Sequence, residues 1–177
     1  MKDRLSILSH SIFTFFVLLL AIGTGCSLFL GNIKPVEEKA GDSKVMNLSS
    51  KNPDWVSFES KADAAYRSKR TGSTISMNSS CKSFDSHIKP DLRALTHELM
   101  LGITRIKSQK AKNITVQGLP ALQTTTEGKV DKDDLIMRTV VVEKGKCVFD
   151  FIYISLADQF KTQESDFSDF VQSWKVN

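Results

Sequence analysis

The two cysteines outside the apolar N-terminal segment, Cys81 and Cys147, are the residues whose chemistry is easiest to predict. In an oxidising compartment, two cysteines most simply form one disulfide bond. A bond across this separation of 66 residues would stabilise the fold by about 4 kcal/mol on the loop-entropy model. The alternatives are two separate buried thiols, or a redox or metal-binding role. The spacing is neither C-x-x-C nor that of a zinc site, so the redox role has no motif behind it.

The histidines suggest a metal site only weakly. His97 and Glu98 match the first two residues of the H-E-x-x-H motif of zinc proteases. Leu101 occupies the position of the second histidine. This difference excludes a metalloprotease of that kind. A site built from Cys81, His87 and His97 is conceivable, although solvated or half-buried histidines are the simpler interpretation.

An acidic cluster precedes residues 135–155 and consists of Asp131, Asp133 and Asp134. A calcium loop needs regularly spaced oxygen ligands, a glycine at its bend and a distal glutamate, and this cluster lacks that order. We interpret it as a solvated turn. The sequence contains no G-x-S-x-G, P-loop or G-x-G-x-x-G motif. We therefore expect a non-enzymatic protein without a catalytic, metal or cofactor site.

The charge pattern argues against binding to nucleic acid. The chain has 24 Lys and Arg against 20 Asp and Glu, and the two signs are mixed along the sequence. The densest basic stretch consists of Arg105, Lys107, Lys110 and Lys112. We interpret it as the solvated end of a helix, where cations suit the helix dipole. Contact with anionic lipid headgroups is the alternative.

The N-terminal residues have the order of a bacterial export signal. Lys2 and Arg4 precede an apolar run at 12–22, and small residues follow at 23–25, directly before Cys26. The cations keep the N-terminus inside, so the rest of the chain is expected on the outer side of the membrane. We therefore assign residues 1–25 to the signal.

The small residues before Cys26 resemble the lipobox of bacterial lipoproteins. This resemblance implies that the Cys26 thiol receives a diacylglycerol and becomes the new N-terminus, held on a membrane by its acyl chains. Gly23 departs from the usual leucine at its position. Cleavage by an ordinary signal peptidase, which would release a soluble protein, is one alternative. An uncleaved anchor is another, because residues 27–30 prolong the apolar run.

The rest of the chain divides into a tether and one domain. Residues 26–52 are predicted to be a flexible tether, since their polar composition offers little apolar surface to bury. Residues 53–177 are enough for one domain. Within it, residues 73–78 alternate as a first strand, and a helical apolar stripe runs from Pro90 to about Ile106.

The strongest β signal lies at residues 135–155. Two β-branched and aromatic segments flank a short loop with Gly145, which predicts an antiparallel hairpin. Both faces of the second segment are largely apolar, so we expect these strands to be central and covered on both sides. Phe167, Phe170, Val171 and Trp174 then have the spacing of an amphipathic helix over about 165–175.

This order of elements resembles the fold shared by the photosystem protein PsbP, the Ran-binding protein Mog1 and the envelope lipoprotein DcrB. The resemblance rests on the Gly118-Leu119-Pro120-Ala121 turn, the hairpin and the aromatic final helix. It implies an α+β fold in which helices sandwich an antiparallel β-sheet. Asp63-Ala64, Cys81 and the segment 147–151 are also similar to a family of uncharacterised lipoproteins.

A lipid-anchored accessory or binding module of the cell envelope is the function that these features predict. We expect it at the periplasmic face of the outer membrane, with membrane lipid as one partner through Cys26. An envelope protein complex or a lipidic ligand would be the other partner. A small envelope enzyme, either a hydrolase or a thiol-redox protein, is the alternative.

Overall fold

The structure, a computed structural model, describes residues 43–81 and 91–176. The predicted signal, Cys26, the tether up to residue 42 and His87 lie outside the described residues. No helix in the described ranges is long and apolar enough to cross a membrane.

An antiparallel sheet dominates the described residues, with its strands in the order β2-β3-β4-β8-β7-β6-β5. A two-stranded ribbon pairs β1 with β9, the first and last described elements. The elements are β1 Ser43–Lys44, α1 Leu48–Lys51, β2 Trp55–Ser57, β3 Ala64–Ser68, β4 Thr74–Cys81, α2 Leu92–Leu99, β5 Thr104–Val116, β6 Leu119–Val130, β7 Asp133–Lys144, β8 Cys147–Leu156, a 3-10 turn Phe160–Thr162, α3 Glu164–Gln172 and β9 Lys175–Val176.

Tight turns at one end of the sheet fix the register of its long hairpins. The predicted hairpin is confirmed as β7 and β8, joined by a two-residue turn in which Gly145 has a φ of 65°. Gln117 and Gly118 join β5 to β6, and both have positive φ, as a type I′ turn requires. We call the end that holds these two turns the proximal end, and the opposite end, with the β6–β7 turn, the distal end.

The face of the sheet that packs against α1, α3 and the 3-10 turn holds the main core. Side chains on this face alternate along β8 with those on the other face, so Phe149, Phe151 and Tyr153 point into the core. The ring centroids of Phe151 and Phe170 of α3 lie 6.2 Å apart. The Tyr153 ring stacks on that of Phe167, with 5.7 Å between their centroids. The predicted final helix is therefore confirmed as a core-facing element.

The second face of the sheet is covered less completely. Helix α2 packs over β6 and β7, where Val141 and Met137 are buried. On β8 the residues of this face beyond Val148, including Ile152 and Ile154, are only half-buried. The expectation of full cover on both faces therefore holds for β7 but not for β8.

The folded domain begins earlier than residue 53, so the predicted boundary of the tether is wrong for residues 43–52. Ser43 pairs with Val176, and Leu48 is fully buried in the core. The Asn47 side chain caps α1 by accepting a hydrogen bond from the Ser49 amide. This segment is ordered by contacts with the end of the chain, which its local composition does not reveal.

Helix α2 ends at Leu99, whereas the sequence predicts a helix that reaches Ile106. Gly102 has a φ of 102°, and the chain then turns into β5. The basic stretch at 105–112 therefore lies on an edge strand and not at a helix end. Lysines on an edge strand hinder its pairing with another chain, so these side chains protect β5 from edge-to-edge association.

Candidate functional site

A disulfide bond joins Cys81, the last residue of β4, to Cys147, the first residue of β8. The two residues are register partners at the proximal end of the sheet. Neither sulfur is a free thiol, so thiol-redox and metal-binding roles for this pair find no support in the structure. The bond ties the last residue before the undescribed segment 82–90 to a central strand.

A cleft of about 410 Å³ separates α2 from the edge of the sheet. Its lining consists of Arg93, Thr96, His97, Met100, Gln109, Ala111, Leu122 and Thr124. Several polar groups here already bond within the protein. The Thr96 hydroxyl donates to the Leu92 carbonyl at 2.7 Å, and the Met100 sulfur accepts hydrogen bonds from Gln109 and Thr126.

His97 stands exposed on the lining of this α2 cleft. Among the described residues, no hydroxyl or carboxylate forms a hydrogen bond with its imidazole. A nucleophile with an adjacent base, which acyl transfer needs, is thus not found in this cleft within the described ranges.

Asp150 lies on the second face of the sheet, between Asn78 of β4 and Val141 of β7. Its Oδ1 atom is buried and has no hydrogen-bond partner among the described residues. Burial and, as the smaller cause, the negative charge of Glu98 together raise the pKa of Asp150 to about 6. The fold therefore favours the protonated carboxyl group at this position.

Asp150 should make the stability of the domain depend on pH. Its pKa is higher in the folded state than in the unfolded chain, so the folded state holds more protons between about pH 4 and pH 6. The contribution of Asp150 to the free energy of unfolding is therefore greatest below about pH 4. It is lost as the pH rises through 6. Asp150→Asn should raise the free energy of unfolding by about 2 kcal/mol at pH 7.5 and change it little at pH 4.

Urea unfolding at the two pH values checks this expectation. Asp158→Asn, at an exposed surface position, is the matched control and should change neither value. Equal effects of Asp150→Asn at pH 4 and pH 7.5 would contradict the assignment.

A second cleft, the proximal cleft, has a volume of about 380 Å³. Its lining residues are Gln117, Leu119, Lys144, Trp174, Lys175 and Val176. The Lys144 ammonium donates to the Val176 carbonyl at 2.6 Å, and Gln117 donates to the Gln172 carbonyl at 2.5 Å. These bonds tie the β5–β6 turn and β7 to the end of the chain, which forms one wall of the cleft.

Apolar side chains gather at the distal end of the second face. We call this group the distal apolar surface; its members are Leu101, Ile103, Ile106, Leu135 and Leu156. Leu156 is the register partner of Leu135, which in turn is the partner of Gly128. A Cβ atom on Gly128 would lie 2.6 Å from Ile103 Cγ2 and 3.0 Å from the Thr104 carbonyl oxygen, so glycine is needed where residues 103–106 approach β6 this closely.

Three members of this surface expose large apolar side chains to solvent. The exposed fractions are 77% for Leu101, 51% for Ile106 and 41% for Leu156. Single exposed apolar residues are ordinary, whereas a larger exposed apolar patch is typical of interaction surfaces.

Comparison with known proteins gives a fold and no family assignment. No protein-family profile matches the chain, and no curated protein matches its sequence. Among solved structures, it is similar to cyanobacterial PsbP from Synechocystis, with 13% identity, a TM-score of 0.51 and coverage of 84% of this chain and 99% of that one. The fold is PsbP-like. LpqN of Mycobacterium tuberculosis, described as involved in cell envelope biogenesis, matches with 12% identity, a TM-score of 0.58 and coverage of 81% and 87%.

The PsbP-like domain places the predicted site residues far from one another. Cys81 and Cys147 meet at the proximal end, whereas His97 lines the α2 cleft on the second face. The aspartates at 131–134 lie around the β6–β7 turn, where hydrogen bonds from Lys107 and Lys129 lower the pKa of Asp134. Within the described ranges, no group of acidic, histidine and cysteine side chains could hold a metal ion.

Sequence reasoning did not identify Asp150, the proximal cleft or the distal apolar surface of the PsbP-like domain. A signal for Asp150 existed, because it is the one acidic residue in the run 147–156. No such signal marks the clefts, since strands that lie far apart in the sequence form their walls.

Proposed function

We propose that this protein is a non-enzymatic accessory lipoprotein of the bacterial cell envelope. In this proposal, acylated Cys26 holds the PsbP-like domain on a membrane, and the distal apolar surface binds an envelope protein. The observation that carries the proposal is the exposure of Leu101, Ile106 and Leu156 at one end of the domain.

The position of the first described strand supports this orientation. Ser43 pairs with Val176, near the proximal cleft, so the chain enters the domain at its proximal end. About 17 residues separate Cys26 from Ser43, which allows a reach of at most about 60 Å. The distal apolar surface lies at the opposite end of the sheet and is thus free to meet a partner while the anchor is in the membrane.

The chemistry of the clefts also favours binding over catalysis. The cysteines form a disulfide, and polar groups in the α2 cleft bond to neighbouring protein atoms. The description of LpqN as an envelope-biogenesis protein is in keeping with an envelope role for this fold, although fold alone does not fix function.

Membrane fractionation tests the anchor. Wild-type protein should sediment with membranes, and Cys26→Ala should move it to the soluble fraction, since the acyl chains provide the attachment. Retention of Cys26→Ala in the membrane fraction would contradict lipid anchoring and favour an uncleaved anchor.

The same membranes, solubilised in mild detergent, test the binding surface. A protein that co-purifies with the wild-type chain should be lost with Ile106→Asp, because a buried aspartate without a partner disrupts an apolar interface. Phe58→Asp is the matched control, since Phe58 is 44% exposed and directly follows β2, which forms the opposite edge of the sheet from β5. Equal retention by both variants would overturn the role of the distal apolar surface.

A further inference from the structure

We propose that the proximal cleft binds the phosphate of an anionic phospholipid headgroup in the membrane that anchors the chain. This inference deepens the proposed function and rests on it, because the tether determines which membrane the cleft meets. Four observations carry it: the charge of the cleft, an indole N–H without an acceptor among the described residues, the apolar lining and the entry point of the chain.

The charge of the proximal cleft is positive. Lys144 and Lys175 line it, and Lys44 is the register partner of Lys175 in the β1–β9 ribbon. Among the described residues, none of these three ammonium groups has a carboxylate within 4.0 Å, whereas Lys51, Lys107, Lys129 and Lys161 all do. Such a group of unneutralised cations attracts an anion, and an ammonium group is a common phosphate ligand.

Trp174 supplies a second, independent observation. Its side chain lines the cleft and is only 1% exposed, yet its indole N–H has no acceptor among the described residues. The other tryptophan, Trp55, donates its indole N–H to Asp166 at 2.8 Å. A buried donor without a partner is rare in folded proteins. A phosphate oxygen in the cleft would provide the missing acceptor.

The lining of the cleft suits an amphiphile better than a free ion. Leu119 and Val176 add apolar surface beside the two lysines. A phospholipid presents a charged phosphate next to glycerol and acyl carbon atoms, so both parts of this lining would be used. Free phosphate would leave the apolar part without a contact.

The entry point of the chain brings the cleft to the membrane. Ser43 pairs with Val176, and Val176 itself lines the cleft. The predicted tether between Cys26 and Ser43, about 17 residues, would have a root-mean-square length of roughly 20–25 Å. An anchor at Cys26 would therefore keep the cleft at a high effective concentration near the lipid surface.

The two tryptophans allow a direct test with the full anchored chain in dodecyl maltoside micelles. The protein is labelled with ¹⁵N-tryptophan and titrated with dihexanoyl phosphatidylglycerol. The indole N–H resonance of Trp174 should shift in a saturable way, and that of Trp55 should not, because Trp55 already has an acceptor. Absence of a Trp174 shift would overturn the proposal.

Lysine variants test the charge. Lys144→Ala combined with Lys175→Ala should raise the Kd by about tenfold or more, as expected for the loss of two cations near an anionic lipid. Lys110→Ala combined with Lys112→Ala is the matched control, because it removes the same charge from exposed positions on β5. If both double variants raise the Kd equally, the effect is one of net charge and the assignment to the cleft is wrong.

Two further ligands test whether the site recognises a lipid phosphate or free phosphate. One variant tests the headgroup site independently of the anchor. Dihexanoyl phosphatidylcholine should bind more weakly than phosphatidylglycerol, because it has no net charge. Inorganic phosphate that binds as tightly as phosphatidylglycerol would contradict a lipid site. Cys26→Ala should leave the Trp174 shift unchanged, so the headgroup site and the anchor can fail independently.

Discussion

Replacing Phe151 by alanine is expected to lower the free energy of unfolding by about 3–5 kcal/mol. Phe151 is fully buried in β8, between its register partners Met77 and Val140. Its ring also meets Phe170 at 6.2 Å and Trp174 at 5.9 Å, both edge to face. The substitution removes the side chain that joins the central strands to α3, and it leaves a cavity there.

Urea unfolding followed by tryptophan fluorescence measures this loss. Ile152→Ala is the matched control, because Ile152 is the next residue along β8 and is half-buried on the opposite face. Its loss should be less than half that of Phe151→Ala. Similar losses for both variants would mean that the face covered by α3 is not the main core of the domain.

The sequence allowed a correct prediction of the core because the signal there is local. In β7 and β8, β-branched and aromatic residues are consecutive, and the turn at Gly145 joins them directly. The aromatic residues of α3 have helical spacing and therefore define the packed face without knowledge of the sheet. The PsbP-like resemblance rested mainly on these elements.

The edge strand was mispredicted for a physical reason. Leu99, Ile103 and Ile106 have the spacing of a helical stripe, but Gly102 breaks the helix between them. The lysines that protect an edge strand also reduce its content of β-branched and aromatic residues. Up to residue 112, β5 therefore has the composition of a polar segment. A local pattern cannot distinguish a protected edge strand from a solvated loop.

The start of the domain and the proximal cleft could not be predicted, because both depend on contacts between distant parts of the chain. Ser43 is ordered by Val176, and the Met46 amide donates to the Ser173 hydroxyl at 2.9 Å. Likewise, the lysines of the cleft come from β7 and β9. Only the tertiary fold, which packs the β1–β9 ribbon beside β7, brings these residues together.

Loss of the disulfide should also reduce stability strongly. Replacing both Cys81 and Cys147 by alanine is expected to lower the free energy of unfolding by about 4 kcal/mol. The register of β4 and β8 extends from Thr74 to Cys81, so the folded strands remain paired without the covalent bond. The larger effect lies in the unfolded chain, where the bond closes a loop across 66 residues and restricts its conformations.

Urea unfolding with and without a reducing agent measures this effect. Reduction should destabilise the wild-type protein by about as much as the double substitution, and the double variant should not respond to reduction. Cys26→Ala is the control for the loss of a cysteine and should respond to reduction as the wild-type protein does, because Cys81 and Cys147 are intact. A double variant within about 1 kcal/mol of the wild type would show that the unfolded chain is already compact around this loop, so that the bond removes little of its freedom.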